Sequence, residues 1–361
     1  MGSRISGGWA HAAMAALVAG LLTAGAAGAS AAGAVERVHW DVPIAFSAKL
    51  QAIGDTLPWV SQRLDEISGG NVKLEVFEPG RLVPGTEIFH AVSSGMTDAG
   101  YTWMGYELGD VPASALFGAV PFGMDPWEYM AWFYFGGGKE LAREVWAPHH
   151  IVPIFCGIVS PETAGWFRFE LKSLDQLKGL KIRFAGLGGK VLEKLGATVT
   201  VMPAGELQQA LERGIIDATE FSIPSADEQL GFYKIAHYNY FPGWHQPFTA
   251  QALYANEKAW AKLSPATRTL IETTCMAGVT YSLAKSESLQ GAVLKRYKDA
   301  GITTVELSQQ ILASLRQATD EVLAEEAARD ALFKKVLDSQ RAFDAVYRPW
   351  QALAYLRPGA G

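Results

Sequence analysis

Two segments carry the organisation of the chain: PGTEIFHAVSSGMTDAG at residues 84–100 and PAGELQQALERGIIDAT at residues 203–219. They align without a gap, pairing Pro84 with Pro203, Glu87 with Glu206, Ala91 with Ala210, Gly95 with Gly214, Asp98 with Asp217 and Ala99 with Ala218. In each copy Pro opens a helix where its missing N–H costs nothing. Gly then ends the helix, and a strand begins at the Asp-Ala pair. Six matches in one register, two of them acids and one a terminating glycine, read as duplication of an α/β lobe.

The surrounding patterns extend this reading. Strands are predicted at 37–43, 72–77, 99–103, 152–156, 165–169, 180–185, 198–201 and 216–220, separated by helices at 47–67, 87–93, 127–146, 173–177 and 188–195. Such alternation predicts mostly parallel sheets covered by helices. A strand at 250–254, a long helix from Pro265 to about Asp299 and a short strand at 303–307 follow, and the C-terminus is largely helical. The first lobe thus takes the chain back after the second is complete, giving residues 35–157 plus 249–305 for one lobe and 158–248 for the other. Residues 306–361 form a C-terminal helical segment that spans or packs on both lobes, and several crossings make a hinge.

With 49% hydrophobic and 19% charged residues in 361, the chain is long enough for two packed lobes and too apolar for disorder. Arg4 precedes an Ala/Leu/Gly-rich run and small residues near Ala34, the pattern of a secretory signal over residues 1–34; an uncleaved anchor is the alternative. Arg4 is the only charged residue of that segment, so its removal takes the formal net charge from -6 to -7. Nucleic acid is therefore not an expected partner. Cys156 and Cys275 stand in apolar surroundings and read as two isolated buried thiols, although an oxidising compartment could pair them.

Motifs of catalysis are missing. The run Gly186-Leu187-Gly188-Gly189 lacks the third glycine of a dinucleotide fingerprint, since Val191 stands there. Gly136-Gly137-Gly138-Lys139 is followed by Glu140 where a phosphate loop needs Ser or Thr. No metalloprotease, thiol-redox or nucleophile-elbow pattern occurs. His149 and His150 are adjacent rather than on one helical face, which does not suit a metal pair. A secreted two-lobed protein whose cleft binds a small molecule fits these facts; a secreted enzyme acting on a small carboxylic acid is the alternative.

The polar candidates point to an acid as ligand. Arg183 lies near the carboxyl end of its strand, where ligand crevices of α/β sheets open, and a guanidinium fork matches a carboxylate. Its partner is either a ligand or a structural acid such as Glu193 or Glu206. Arg168, sharing a face with Trp166, is a second candidate on what reads as the neighbouring strand. Glu220 closes the second copy of the repeat and either bonds a ligand hydroxyl, binds a cation or caps the helix begun by Pro224. Tyr101, Trp103 and Tyr106 follow the first copy and face the second lobe across the cleft, while Trp166, Phe221 and Trp244 offer the opposite wall.

The runs Ser173-Leu-Asp-Gln-Leu-Lys-Gly-Leu-Lys-Ile-Arg183, Gly189-Lys-Val-Leu-Glu-Lys-Leu-Gly196 and Ala210-Leu211 to Ala218 resemble the extracytoplasmic solute receptors of TRAP transporters, the DctP type. Gly165-Trp-Phe-Arg168, Leu230-Gly-Phe-Tyr-Lys234 and Tyr240-Phe-Pro-Gly-Trp-His245 are similar to its 2-oxo acid and mannitol-chloroaromatic branch. The resemblance implies a two-lobed periplasmic-binding-protein fold of type II-like architecture with long C-terminal helices. It also implies a periplasmic location, an organic monocarboxylate as ligand and a membrane permease as partner. It carries the ligand arginines onto Arg183 and Arg168, and a sodium or calcium site onto Glu162, Glu220 and the backbone of Phe221. Glutamate at 162 and phenylalanine at 221 depart from the glutamine and tryptophan of that branch, so the ion is either kept by two carboxylates or lost, with the acids reading ligand hydroxyls. An apolar or aromatic carboxylate is then as fitting as pyruvate. The C-terminal helices either pair two chains as a homodimer or pack across the lobes.

Overall fold

The computed structural model describes residues 1–2 and 35–355; the expected signal segment, residues 1–34, lies outside the described residues apart from its first two. No helix among the described residues is long and apolar enough to cross a membrane.

In the first lobe β1 (Val38–Pro43) and β2 (Val72–Phe77) pair in parallel, while β10 (Thr249–Asn256) lies antiparallel between β3 (Ala99–Trp103) and β4 (Ile151–Val159). Ala45 N–H donates to the Tyr101 carbonyl at 2.9 Å and joins the two groups. In the second lobe a six-stranded sheet runs β11 (Thr303–Glu306), β9 (Tyr238–Phe241), β5 (Gly165–Phe167), β8 (Ala218–Thr219), β6 (Lys181–Arg183), β7 (Thr198–Thr200). The sheets are mixed, correcting the expectation of mostly parallel strands. The chain leaves the first lobe on β4 and returns beside it on β10, so those neighbours must run in opposite directions. The same holds for β5, which enters the second sheet, and β9, which leaves it.

The duplicated segments have the same backbone. Pro84 and Pro203 both stand at the cap rather than inside the helix, with ψ of 146° and 148°. Met96 N–H donates to the Ala91 carbonyl, and Ile215 N–H to the Ala210 carbonyl, each at 2.9 Å, around Gly95 and Gly214 with φ of 77° and 68°. These are matched left-handed helix ends, and each feeds a strand that begins at the paired alanine, Ala99 or Ala218.

Helix Pro265–Asp299 is 35 residues long, roughly 50 Å at 1.5 Å per residue. It lies against both lobes: Ser282 and Ser286 hydroxyls accept from Ile158 and Ser160 N–H of the β4 end, and Tyr297 donates to the Pro224 carbonyl at 2.6 Å. β11 then pairs with β9 in the second sheet, whereas the sequence pattern places residues 249–305 in the first lobe. Helix Gln309–Arg329 follows against the second lobe through Lys194–Glu325, and Ala331–Ala354 against the first through Lys335–Glu144. The helix expected over 127–146 is two, Pro126–Phe135 and Gly138–Trp146, divided at Gly137 with φ 89°. Helix 47–67 starts only at Thr56.

Cys156 and Cys275 form a disulfide, which corrects the reading of two separate thiols. They come together because β4 packs on the long helix in the first-lobe core beside Leu57 and Ile271.

Glu107 is buried in the first lobe and accepts from Tyr254 Oη at 3.2 Å. Burial, with Asp110 nearby, raises its pKa to about 8. Between pH 4.5 and 8 the folded chain therefore keeps a proton that the unfolded chain has lost, and stability falls as pH rises through that window. Glu107→Gln keeps an acceptor and removes the titration. Its thermal midpoint should match that of the parent at pH 4 and exceed it by roughly 10 °C at pH 9; a difference independent of pH would overturn the assignment.

Candidate functional site

Arg183 ends β6 and Glu220 follows β8, its parallel neighbour, so both side chains leave the sheet at the carboxyl end. Glu162 comes from the crossover after β4 and His245 from the crossover before β10. All four residues are 1% exposed. Arg183 NH1 donates to the Glu220 carbonyl at 2.6 Å and to Glu220 Oε2 at 2.8 Å, and its Nε has no partner among the described residues. Ala185 N–H also donates to Glu220 Oε2 at 3.2 Å. Thr249 Oγ1 donates to Glu162 Oε1. His245 Nε2 stands 3.3 Å from Glu162 Oε2 and 3.6 Å from Glu220 Oε1.

Two acids this close cannot ionise independently. Burial and the neighbouring Glu220 charge push Glu162 upward. Burial acts on Glu220 in the same sense but is outweighed by Arg183 and His245, which hold it low. For His245, burial favours the neutral ring and the two carboxylates overcome it, so its pKa is raised.

A cleft of ≈ 480 Å³ reaches this polar set at Ala185, whose N–H holds Glu220; Trp103 and Tyr106 from the first lobe and Ala185, Gly186, Lys190 and Glu193 from the second line it. Arg183 and Glu220 do not themselves line the cleft, and the Arg183 guanidinium approaches the Phe221 ring to 5.5 Å. Phe46 closes the aromatic wall, 6.0 Å from both Phe221 and Tyr106. The lobes touch here: a side chain at Gly186, where φ is +64°, would meet the Trp103 ring at 2.8 Å. The glycine run that fails as a nucleotide motif therefore makes room for an indole from the opposite lobe.

The sequence candidates divide accordingly. Arg183, Glu162, Glu220, Phe221 and Trp103 converge. Arg168 does not: β5 runs antiparallel to β8 with Phe167 opposite Ala218, so Arg168 continues away from Glu220, and β8 separates β5 from β6. Its pattern specified a face, not a strand direction. Trp166 is interior, donating to Asp227 at 2.8 Å and packing edge-on to Tyr297. Tyr101 lies in the first-lobe core, where a side chain at Gly157 would meet its hydroxyl. Trp244 backs the site, packed on Phe122, Phe184 and His245. The structural partner of Arg183 is Glu220 rather than Glu193 or Glu206, and the cap of the helix at Pro224 is Ile223, not Glu220. Sequence reasoning did not assign His245, Thr249 or Phe46 to the site. A histidine inside the apolar, proline-bracketed run from Tyr240 to Pro247 was the one available signal.

The donor set can hold a cation. Glu162 Oε2 has no hydrogen-bond partner among the described residues, and one donor atom each of Glu162, Glu220 and His245 lies within 4.8 Å of the others.

A monocarboxylate 2-oxoacid-binding periplasmic protein of Nostoc is 35% identical over 291 residues, 81% of this chain and 80% of that protein. A TRAP periplasmic solute-binding protein from Colwellia psychrerythraea, solved with calcium and pyruvate, superposes with a TM-score of 0.85 at 32% identity, covering 88% of this chain and 98% of that one. A TRAP transporter solute-binding protein from Bordetella bronchiseptica, a dimer with copurified calcium and picolinate, gives 0.86 at 29% identity over 88% and 95%. The bacterial extracellular solute-binding protein family 7, DctP, matches residues 47–330, and the chain belongs to that family of TRAP solute receptors.

Proposed function

We propose that this chain captures a small monocarboxylate, a 2-oxo or 2-hydroxy acid or a compact aromatic acid, between its lobes and hands it to the membrane permease of a TRAP transporter. One observation carries the reading: Arg183, buried behind the cleft, spends NH1 on Glu220 and leaves Nε unpaired, so an incoming carboxylate completes a fork that the protein leaves half used. Phe46, Tyr106, Phe221 and Trp103 supply apolar area that excludes water and strengthens that contact. Glu162 and Glu220 would hold a cation beside the acid, supplying positive charge for its second oxygen. The Nostoc relative's 2-oxoacids and the pyruvate and picolinate of the two solved relatives support this ligand class. A disulfide belongs to an oxidising compartment, which supports the periplasm for the mature chain. Exposed Val346, Trp350 and Leu353 on the last helix support pairing of two copies.

Thermal-shift measurement of the purified protein against pyruvate, lactate, picolinate and benzoate, with and without chelator, tests the proposal. At about 100 times the Kd, a true ligand adds about 2.7 kcal/mol and should raise the midpoint by roughly 5–10 °C. Silence across all these acids, with calcium and sodium present, would sink it.

Gly186 offers a test of closure itself. Gly186→Ala adds a methyl against Trp103 in the closed state, and affinity should fall about tenfold, or 1.4 kcal/mol. Trp103→Phe, which withdraws the indole edge, should relieve part of that loss in the double variant. Simple additivity of the two losses in calorimetry would refute the contact.

A further inference from the structure

We propose that Gln229 is a positioning residue for capture: its amide clasps the backbone of Lys49 and Gln51 across the lobe boundary and so holds the closed state. Gln229 Oε1 accepts from Gln51 N–H at 3.1 Å, and its Nε2 donates to the Lys49 carbonyl at 2.9 Å. Gln229 stands on helix Pro224–Leu230 of the second lobe. Its partners lie 178 and 180 residues earlier, in the first lobe.

Local structure explains why that backbone is free to be clasped. The helix begins only at Thr56, and the residues just before it form turns. Ala52 has φ 66°, a conformation that a residue with a Cβ rarely takes. Its N–H donates to Asp55 Oδ1 at 3.0 Å, and Asp55 pairs with Lys285 of the long helix. Leu50 N–H returns to the Ser47 carbonyl and Gly54 N–H to the Leu50 carbonyl. Neither the Lys49 carbonyl nor Gln51 N–H has a backbone partner among the described residues. A carbonyl and an N–H two residues apart therefore face the second lobe, and a side-chain amide, one acceptor beside one donor group, matches them. Backbone strain of this kind concentrates where function needs one fixed shape.

The same segment seats its apolar side on the second lobe. Phe46, Leu50, Ala52 and Ile53 are buried in one cluster with Leu207, Ile223 and Phe232, and Phe46 meets Phe221 of the aromatic wall. Its ties to the first lobe are polar: Ala48 N–H donates to Glu78 at 3.1 Å, and Gln251 Nε2 to the Ile53 carbonyl at 2.8 Å. The segment is thus held by one lobe and packed against the other, with Gln229 fixing its outer edge. Parting the lobes breaks both hydrogen bonds at once, because one amide makes them. A contact made only with the lobes together favours the closed state and slows release without aiding the first encounter. The ligand that reads these rates rests on the receptor reading; the clasp itself does not.

Stopped-flow tryptophan fluorescence on the full mature chain, with pyruvate in calcium buffer, reads both rates. Gln229→Ala should raise the dissociation rate about tenfold, the scale of two exposed hydrogen bonds, and leave the association rate within about twofold. Gln229→Glu keeps the acceptor for Gln51 N–H but turns a carboxylate on the Lys49 carbonyl, so it should not restore slow release. A dissociation rate unmoved by Gln229→Ala, or both rates changed equally, would overturn the clasp. The spacing of the lobes gives a second readout. Both cysteines are in the disulfide, so Glu66→Cys and Glu212→Cys, at exposed positions of the two lobes, take spin labels specifically. The closed-to-open ratio from their distance distribution, with and without pyruvate, should fall about tenfold in Gln229→Ala. An unchanged ratio, or no closed population in the parent under either condition, would also overturn it. Capture of pyruvate with rates and spacing indifferent to Gln229 overturns the clasp alone, whereas a parent that captures no acid but whose spacing responds to Gln229→Ala overturns the receptor reading alone.

Discussion

Arg183→Ala should weaken capture of the acid by about 2–5 kcal/mol, a Kd rise of roughly thirtyfold or more. The residue is 1% exposed and already bonds Glu220 through NH1 at 2.8 Å. Its loss therefore removes the ligand's anchor and leaves the Glu220 carboxylate buried beside Glu162. The second effect is a stability cost, because a buried charge stripped of its partner destabilises by about 3–5 kcal/mol. The double variant Arg183→Ala/Glu220→Gln separates the two. It should regain most of the lost thermal midpoint and still fail to bind. Arg183→Lys should recover only part of the affinity, since a point charge cannot reproduce a planar fork. Calorimetry on folded samples decides: an alanine variant that binds like the parent would mean that the acid is anchored elsewhere.

Arg183 was legible in the sequence because it stands near the carboxyl end of its strand, just ahead of a glycine-rich turn, where ligand crevices of α/β sheets open. Glu220 was legible because it closes a repeat whose other copy ends in Tyr101, the equivalent strand position. Arg168 misled for a physical reason: alternation tells which face a side chain takes, not the direction of the strand. In a mixed sheet an antiparallel β5 sends its last residue to the end opposite Arg183. Trp166 and Tyr101 misled because large aromatics serve cores as readily as clefts; their neighbours Asp227, Tyr297 and Thr56 come from distant segments. His245 stayed hidden because its partners are the two acids, one 83 residues away in Glu162 and both brought to it only by the hinge crossings. The strand order and the long helix carry the same lesson. Helix Pro265–Asp299 has the bounds expected from the sequence, yet nothing local says that its N-terminal half serves one lobe and its C-terminal end the other.

Removing the disulfide by Cys156→Ala with Cys275→Ala should cost about 2–5 kcal/mol of folding stability and leave ligand affinity near that of the parent. The bond joins residues 119 apart, so the loop it closes contains the whole second-lobe sheet except β11. In the unfolded chain that closure removes entropy that grows with the logarithm of loop length, about 4–5 kcal/mol for a loop near 100 residues. In the folded chain the two sulfurs sit among Leu57, Ile154 and Ile271, on β4 and the long helix rather than at the cleft. Their removal therefore leaves Arg183, Glu220 and the lobe contact at Trp103 in place. Denaturant midpoints of oxidised and reduced protein, with calorimetry on both, measure the two quantities independently. Equal midpoints would show that the cross-link constrains nothing. A lost midpoint accompanied by a tenfold loss of affinity would instead show that the first lobe needs the bond to present its half of the cleft, because β4 and β10 carry the chain from that core directly to Glu162 and Thr249.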